Sequence, residues 1–318
     1  MDMKTHTTEL HLSVEDFATI FGVTVADIPQ KCKDVISSTD FRYQFLSGWE
    51  RDNVLLRVVK TLLSDTLKKS GPHRKEDWEK GWSENFSNFV THGHDIEELI
   101  PKFVRKKEMV RFRGDYIMPA DPDFETNFVK IIRYYLFSKY FAETAKVFEF
   151  GCGTGLNLIA VSELFPQKKL YGLDWSEASC QILNELSKKC HLNLTGVLFD
   201  MFSPDYEVEV DNNSAVFTIG AMEQLGNNFM PFAEFLLRKN PSLVINIEVN
   251  YESHDKDSLF EYVAAAYIEK RNYLRGFYEF LQEQEMQGRV TIMETRKTFG
   301  SLFHDGYSYT VWKPRNSV

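Results

Sequence analysis

Apolar residues in the first part of the chain recur every three or four positions. From about residue 10 to residue 120 this spacing predicts helices joined by loops, with short extended pieces after about residue 94. Residues 49–71 form the clearest early helix, with apolar positions from Val54 to Leu63 at helical spacing and an end at Gly71-Pro72. A second strong helix is predicted after Asp121. Its single apolar stripe consists of Phe124, Phe128, Ile131, Ile132, Tyr135 and Leu136.

From Lys146 onward the pattern changes to alternating strand-like and helical segments. The candidate strands are residues 147–150, 170–173, 195–199, 215–219 and 243–249. Intervening helices predict a parallel sheet that is covered on both faces. Two further strand-like runs, residues 289–300 and 307–314, predict a closing antiparallel hairpin. We therefore expect an α/β fold, with a doubly wound, mostly parallel sheet in residues 121–318 and a mainly helical segment in residues 1–120.

Composition excludes several classes of protein. The chain has 318 residues, of which 43% are hydrophobic and 26% charged, as expected for a globular protein with an ample core. The net charge of −9 argues against broad binding to nucleic acid. No apolar run is long enough for a membrane span, and the polar N-terminus lacks a signal-peptide core. The four cysteines show no zinc spacing, so we expect a reduced cytoplasmic protein without a metal.

The segment FEFGCGTGLNLIA, residues 148–160, combines a strand, a glycine turn and a helix. Gly151, Gly153 and Gly155 alternate directly after the first predicted strand. Such a turn lets the backbone approach a nucleotide closely. A dinucleotide fingerprint would need a third glycine where Leu156 stands. The alternatives are that the glycines are only turn residues, and that Cys152 is simply a small residue that the turn tolerates.

The motif E-x-G-x-G-x-G, from Glu149 to Gly155, resembles motif I of the class I S-adenosylmethionine-dependent methyltransferases. The resemblance covers about residues 121–314, and it includes the order of five parallel strands followed by an antiparallel sixth and seventh. It implies S-adenosylmethionine as the cofactor, held in part by Glu149 and by the backbone of Gly151, Cys152, Gly153 and Gly155.

The same resemblance assigns roles to the ends of the next two strands. Asp174 would accept hydrogen bonds from both ribose hydroxyls, and Trp175 would lie against the adenine face. Asp200 would accept a hydrogen bond from the adenine amine, and Met201 would provide a backbone N–H or an apolar wall. Alternatively, Asp174 caps a helix beginning at Ser176, and Asp200 is a turn aspartate.

The reaction zone is expected beyond the fourth strand, in VFTIGAMEQLG. Residues 218–221, including Gly220, should pass the methionine portion of the cofactor. Glu223, with Gln224 beside it, then faces the acceptor: it either binds a cationic acceptor, takes a proton, or merely favours a helix start. Further candidates for contact with the acceptor lie in two later loops, and each could instead be a solvated loop residue. They are Glu248, Tyr251, Glu252, His254 and His304.

The first 120 residues carry a basic run, composed of Arg105, Lys106, Lys107, Arg111 and Arg113. Such a run is typical of a solvated basic face. The sharper hypothesis is that Arg113 or Asp115 engages the carboxylate or the amine of the cofactor. Aromatic residues of this segment form either an acceptor pocket or ordinary core: Trp49, Trp78, Trp82 and Tyr116.

The sequence thus predicts a cytoplasmic methyltransferase whose N-terminal segment covers the site as a lid. Its expected partner is a small-molecule or amino-acid-like acceptor, methylated on oxygen or nitrogen, with no nucleic acid and no membrane. The oligomeric state is not predicted. The alternatives are methylation of a peptide or protein, a non-catalytic cofactor-binding protein, and aminopropyl transfer.

Overall fold

The computed structural model describes residues 9–101 and 108–315. Arg105, Lys106 and Lys107 of the basic run lie outside the described residues. The strands are β1 (Leu10–His11), β2 (Arg42–Phe45), β3 (Val110–Phe112), β4 (Asp115–Pro119), β5 (Lys146–Phe150), β6 (Lys169–Asp174), β7 (Leu194–Leu198), β8 (Ser214–Ile219), β9 (Leu243–Ile247), β10 (Val290–Arg296), β11 (Phe299–Gly300) and β12 (Tyr309–Pro314).

Ten α-helices lie in the described ranges, and none of them has the length and apolarity needed to cross a bilayer. They are α1 (Val14–Phe21), α2 (Gln30–Ser38), α3 (Gly48–Leu63), α4 (Lys75–Thr91), α5 (Phe124–Tyr140), α6 (Leu156–Leu164), α7 (Glu177–Lys189), α8 (Met230–Lys239), α9 (Leu259–Arg271) and α10 (Phe277–Met286). The helix predicted over residues 49–71 is α3, which ends earlier than predicted, at Leu63 with Ser64 as its C-cap. The whole predicted stripe after Asp121 is buried on α5.

The main sheet has seven strands in the order β10-β12-β9-β8-β5-β6-β7. The five strands from β5 to β9 run parallel, and each contains one of the five predicted segments almost entirely. β12 pairs antiparallel with both β9 and β10, with Trp312 opposite Val244 and Ile292. The predicted fold class, with its closing antiparallel hairpin, is confirmed.

Helices cover the main sheet on both faces because its strands are apolar on both. Along β8, Ala215 and Phe217 belong to one hydrophobic cluster, whereas Val216 between them belongs to another. Alternate side chains of a strand point to opposite faces, so these two clusters are the two sides of a doubly wound sheet. The carboxyl ends of β5, β6 and β8 therefore meet along one open edge.

The N-terminal segment contains a second, antiparallel sheet that the sequence did not predict. Its order is β1-β2-β4-β3-β11, and its last strand comes from the C-terminal part of the chain. The strands have two to five residues, too short for a clear alternation of apolar and polar positions. "Mainly helical" is thus an incomplete description of residues 1–120.

The N-terminal segment also shares a core with the main sheet. Phe21 of α1 stacks on Tyr135 of α5 with ring centroids 4.0 Å apart. Phe128 contacts Phe17 at 5.0 Å and Phe299 of β11 at 4.1 Å. The division near residue 120 consequently separates two packed layers of one hydrophobic cluster. That the first layer serves the site as a lid remains a proposal.

Candidate active site

The glycine turn after β5 requires glycine for two separate reasons. Gly151, Gly153 and Gly155 have φ angles of 71°, 50° and 78°, a region that side chains disfavour. A Cβ on Gly151 would lie 2.3 Å from the Cβ of Ala221, which follows β8. A Cβ on Gly153 would lie 2.9 Å from the Trp82 ring. The turn is therefore held tightly between two neighbouring elements.

Asp174 is the last residue of β6, and its carboxylate accepts a hydrogen bond from the glycine turn. Its Oδ2 accepts the Gly153 amide hydrogen bond at 2.9 Å, and its Oδ1 accepts that of Ser176 at 3.0 Å. The carboxylate is 5% exposed, and burial raises its pKa to about 6. Ser176, not Asp174, caps α7 with its own side chain. A carboxylate offers about four acceptor positions, so Asp174 can accept further hydrogen bonds from hydroxyl groups of a ligand.

Trp175 and Phe202 form an aromatic wall beside Asp174, with stacked ring centroids 5.8 Å apart. Asp200 accepts the Phe202 amide hydrogen bond at 2.9 Å, so the turn geometry considered for it is present. The Met201 Cε lies 3.5 Å from the position of a Gly151 Cβ. Trp175, Asp200 and Met201 therefore line the same edge as the glycine turn.

Cys152 has a packing role in the turn. Its side chain is buried, and its Sγ lies 3.8 Å from the Ser179 hydroxyl. Burial raises the pKa of the thiol, so it stays protonated. The amides of Cys152 and Gly151 both donate to the Leu173 carbonyl, which ties the turn to β6.

Glu149, the acidic residue of the motif, is fully buried at the end of β5. Its Oε1 accepts a hydrogen bond of 2.5 Å from Asn157, whose own oxygen accepts one of 2.8 Å from Arg133. Its Oε2 has no partner among the described residues, and burial raises the pKa of this carboxyl to about 8. Such a group is suited to a ligand that brings a hydrogen-bond donor. Arg133 was missed because it lies within the apolar pattern of α5.

The loop after β8 is built on Glu248. Gly220 has a φ of 60° and donates to the Ile247 carbonyl at 3.0 Å. The Glu248 carboxylate then accepts backbone hydrogen bonds from Ala221, Met222 and Glu223 at 3.0, 3.1 and 3.2 Å. Glu248 is therefore neither a solvated loop residue nor free to bind an acceptor, because it holds the loop that carries Glu223.

Glu223 lies in a 3₁₀ helix (Met222–Leu225) and faces His304 from the loop before β12. Its Oε2 is 3.5 Å from the His304 Nε2, and both side chains are less than one-fifth exposed. The His304 ring contacts the rings of Tyr267 and Tyr273, with centroids 5.4 and 5.5 Å away. His304, for which a solvated loop position was the alternative, is therefore buried beside Glu223.

A second carboxylate lies near this pair. The Tyr307 hydroxyl donates to the Glu125 Oε1 at 2.8 Å, and burial raises the pKa of Glu125. Neither residue was predicted, because one is an ordinary first-turn acid of α5 and the other a loop tyrosine. Together with Glu223 and His304, they give the acceptor side of the edge an acidic and aromatic lining.

Helix α4 packs over the glycine turn and the loop after β8. The Trp82 ring packs against Gly153, and Trp78 donates from its indole to the Gln224 side chain at 3.4 Å. The Glu79 carboxylate accepts the amide hydrogen bonds of Glu177 at 2.8 Å and of Ala178 at 3.1 Å, at the start of α7. The two tryptophans considered for an acceptor pocket therefore do reach the predicted site.

Other predicted residues lie away from this edge. Arg113 occupies the turn between β3 and β4, where its guanidinium binds Asp16 at 2.6 Å and the Tyr43 hydroxyl at 3.3 Å. Asp115 is paired with Arg51 at 2.7 Å. Both partners belong to the N-terminal layer, so the structure does not bring Arg113 or Asp115 to the glycine turn.

The remaining loop candidates are engaged in contacts with other residues of the protein. His254 lies 3.2 Å from the Asp305 carboxylate, and Tyr251 binds Glu269. Glu252 accepts the amide hydrogen bond of Gly276 at 2.5 Å. Two of the aromatic candidates do not line this edge: Trp49 is 77% exposed, and Tyr116 is buried against Phe260.

Comparisons with known proteins give structural matches only. No protein-family model and no characterised protein sequence matches this chain. One structural match is geranyl diphosphate C-methyltransferase from Streptomyces coelicolor A3(2), in complex with Mg²⁺, geranyl diphosphate and S-adenosyl-L-homocysteine. It has 10% identity and a TM-score of 0.47, covering 78% of this chain and 100% of that one.

Two further matches have similar descriptions. The plantazolicin methyltransferase BpumL, in complex with SAH, has 14% identity and a TM-score of 0.44, covering 83% of this chain and 100% of that one. A SAM-dependent methyltransferase from Aquifex aeolicus has 19% identity and a TM-score of 0.38, with 55% and 86% covered. The fold class rests on the chain itself: five parallel strands with a glycine turn after the first, and a last strand, β12, that lies antiparallel between β9 and β10.

Proposed function

We propose that this protein is an S-adenosylmethionine-dependent methyltransferase that acts on an oxygen or nitrogen of a small-molecule or amino-acid-like acceptor. One observation carries the proposal. Three left-handed glycines form a cradle between the buried carboxyls of Glu149 and Asp174, at adjacent strand ends. The free Oε2 of Glu149 and the spare lone pairs of Asp174 fit a ligand that carries an ammonium and ribose hydroxyls.

The residues divide the cofactor between them. In this proposal Asp174 accepts the ribose hydroxyls, and Trp175 lies along the adenine. Asp200 and Met201 contact the adenine edge, and the backbone from Gly151 to Gly155, Cys152 included, approaches the sugar and sulfur. Glu149 and Gly220 lie at the methionine end. When bound, S-adenosylmethionine supplies an electrophilic methyl group.

The protein's own part in methyl transfer is alignment and exclusion of water. Trp78 and Trp82 of α4 close the edge over the glycine turn, which supports the proposal that the N-terminal segment is a lid. Glu223 and His304 lie on the acceptor side, where an acceptor hydroxyl or ammonium must lose a proton. An enclosed, polar lining of this kind suits a small acceptor.

Cofactor binding and turnover are tested in two steps. Calorimetry with the purified protein should show micromolar-range binding of S-adenosylmethionine or its demethylated product, and no binding of NAD. Methyl-labelled cofactor is then incubated with the protein and a metabolite extract, and new labelled masses are sought. Cofactor binding without any labelled product would favour a non-catalytic protein, label only in peptides would favour the peptide alternative, and tight NAD binding alone would overturn the proposal.

A further inference from the structure

Next to the candidate acceptor side lies a group of buried hydrogen-bond donors that the proposed reaction does not use. Four buried atoms have no partner among the described residues: the Ser70 hydroxyl, Arg74 Nη1, Arg271 Nε and Arg275 Nε. We call these four residues the donor cluster. The cluster unites two parts of the chain, because Ser70 and Arg74 precede α4, whereas Arg271 and Arg275 flank the turn after α9.

Direct contacts hold the two parts together. The Ser70 amide donates to the Arg271 carbonyl at 2.7 Å, and the Asn272 side chain donates to the Ser70 carbonyl at 3.3 Å. Asn272 also lies close to Gly226, at the end of the 3₁₀ helix that carries Glu223, since a Cβ on Gly226 would lie 2.7 Å from the Asn272 oxygen. The donor cluster therefore adjoins the acceptor side.

Tyr273 connects the cluster to the proposed reacting groups. The Arg271 guanidinium carbon is 4.7 Å from the centre of the Tyr273 ring, and the His304 ring centre is 5.5 Å from it. Arg271 also donates to the Tyr267 hydroxyl at 3.3 Å, and Tyr267 contacts His304 as well. Tyr267 and Tyr273 therefore each contact both Arg271 and His304.

The charges of the cluster are incompletely balanced. Arg74 is paired with Asp77 at 2.6 Å, but neither Arg271 nor Arg275 forms an ion pair with any residue in the described ranges. Half-buried guanidinium groups that lack a carboxylate partner favour binding of an anion, and their planar N–H groups match carboxylate and phosphate oxygens. The remaining member, Ser70, adds another donor.

We propose that the methyl acceptor is an acid, and that its carboxylate or phosphate group is held by Arg271 and Arg74 while its nucleophilic atom lies at His304 and Glu223. This inference rests on the proposed methyl transfer and narrows its acceptor class. Because the donor cluster joins the N-terminal segment to the turn after α9, an anionic acceptor would contact both parts of the chain.

The acceptor's charge is tested on the wild-type protein. Labelled products from the metabolite extract are passed over an anion exchanger. We expect the main product to be retained; loss of retention after phosphatase treatment would identify a phosphate, and continued retention a carboxylate. A main product that is neutral or cationic would overturn the inference while leaving methyl transfer intact.

The site is tested with Arg271→Met and the matched control Arg238→Met, an exposed arginine that stacks on Tyr206 at 4.9 Å. Loss of charge-assisted hydrogen bonds should raise the KM for the labelled acceptor at least tenfold in Arg271→Met only, with an unchanged Kd for the cofactor. A weakened cofactor Kd with an unchanged KM would overturn the inference.

Inorganic phosphate provides a probe that is independent of methyl transfer and of the acceptor's identity. The Trp78 ring lies 6.0 Å from the Arg74 guanidinium carbon, so phosphate binding should give a saturable change in tryptophan fluorescence. We expect that change in the wild type and in Arg238→Met, and its loss in Arg271→Met. Phosphate binding without any labelled product would reject the proposed function but keep the anion site. Equal signals in all three proteins would reject the site.

Discussion

The Glu223 Oε2 lies 3.5 Å from the His304 Nε2, although one residue follows β8 and the other stands in the loop before β12. A carboxylate close to an imidazole favours the ring that has taken up a proton. Both ring nitrogens of His304 are buried without a hydrogen-bond partner among the described residues, so Glu223 acts on the ring through its charge. This arrangement favours His304 as the proton acceptor and Glu223 as the residue that positions it.

Substitution of this pair should lower turnover more than acceptor binding. His304→Gln should reduce kcat by about 10²–10⁴, the usual contribution of a general base. Glu223→Gln should reduce kcat less, and the double variant should be no slower than His304→Gln, since both changes remove one function. Steady-state kinetics on the labelled acceptor measure this. If Glu223→Gln instead raises KM alone, Glu223 binds a cationic acceptor, and normal values of both would leave it as a helix-start residue.

Asp174 offers a test of the cofactor site with a defined pH dependence. Asp174→Ala should weaken cofactor binding at least tenfold, because two hydroxyls lose a charged acceptor, each bond being worth about 1.5–3 kcal/mol. Burial raises the pKa of Asp174 to about 6. Since only the ionised form accepts both hydroxyls well, affinity should fall as the pH drops through about 6.

Calorimetry from pH 5 to pH 8 measures this dependence. The control is Asp174→Asn, which cannot ionise and should bind weakly with no step near pH 6. An equally strong step near pH 6 in the Asn variant would assign the titration to another group. Unchanged binding by Asp174→Ala with an intact fold would mean that the ribose assignment is wrong.

The strand order and the glycine turn could be predicted from the sequence because both depend on local patterns. β8 is a continuous buried run, and the glycines follow a strand directly, so neighbouring residues carry the signal. Short extended pieces were predicted where β3 and β4 lie, but their assembly into a second sheet was not, because β3 has only three residues and pairs with β11 from the far end of the chain.

The acceptor side was predicted less well for the same reason. His304 stands in a loop that reads as polar, and only packing against Tyr267 and Tyr273 buries it. The basic run suggested Arg113, whereas the arginine next to Glu149 is Arg133, which no motif marks. Residues that act through long-range contacts leave no local pattern, whereas Glu149 and Asp174 end strands and do.

Helix α4 can be loosened without touching the glycine turn. Glu79 binds two amides at the start of α7, so Glu79→Ala should free the helix from that contact. We expect faster hydrogen exchange at Glu177 and Ala178, and cofactor dissociation about fivefold faster, as for the loss of a helix-cap bond of about 1 kcal/mol. The control is Glu76→Ala on an exposed position of the same helix. Unchanged dissociation in Glu79→Ala would argue against α4 as a lid.

Alanine substitutions at Gly151 and at Gly114 separate the cost of backbone strain from the cost of a steric conflict with Ala221. Gly151→Ala should destabilise the protein in two ways. A side chain in the left-handed region costs about 1–2 kcal/mol, and the new methyl would lie 2.3 Å from the Ala221 Cβ, adding about 1–3 kcal/mol of overpacking. Gly114→Ala is the matched control, because Gly114 has a φ of 78° but no atom within 4 Å of its Cβ position.

Urea denaturation of the two variants gives the difference in their free energies of unfolding. We expect Gly114→Ala to lose only the backbone part and to bind the cofactor normally. Gly151→Ala should lose more stability and most cofactor affinity, because the loop held by Glu248 cannot move aside without breaking its backbone hydrogen bonds. Equal losses of stability in both variants would show that this loop yields freely. The glycine cradle would then owe its shape to the turn alone, not to the packing of Ala221 against it.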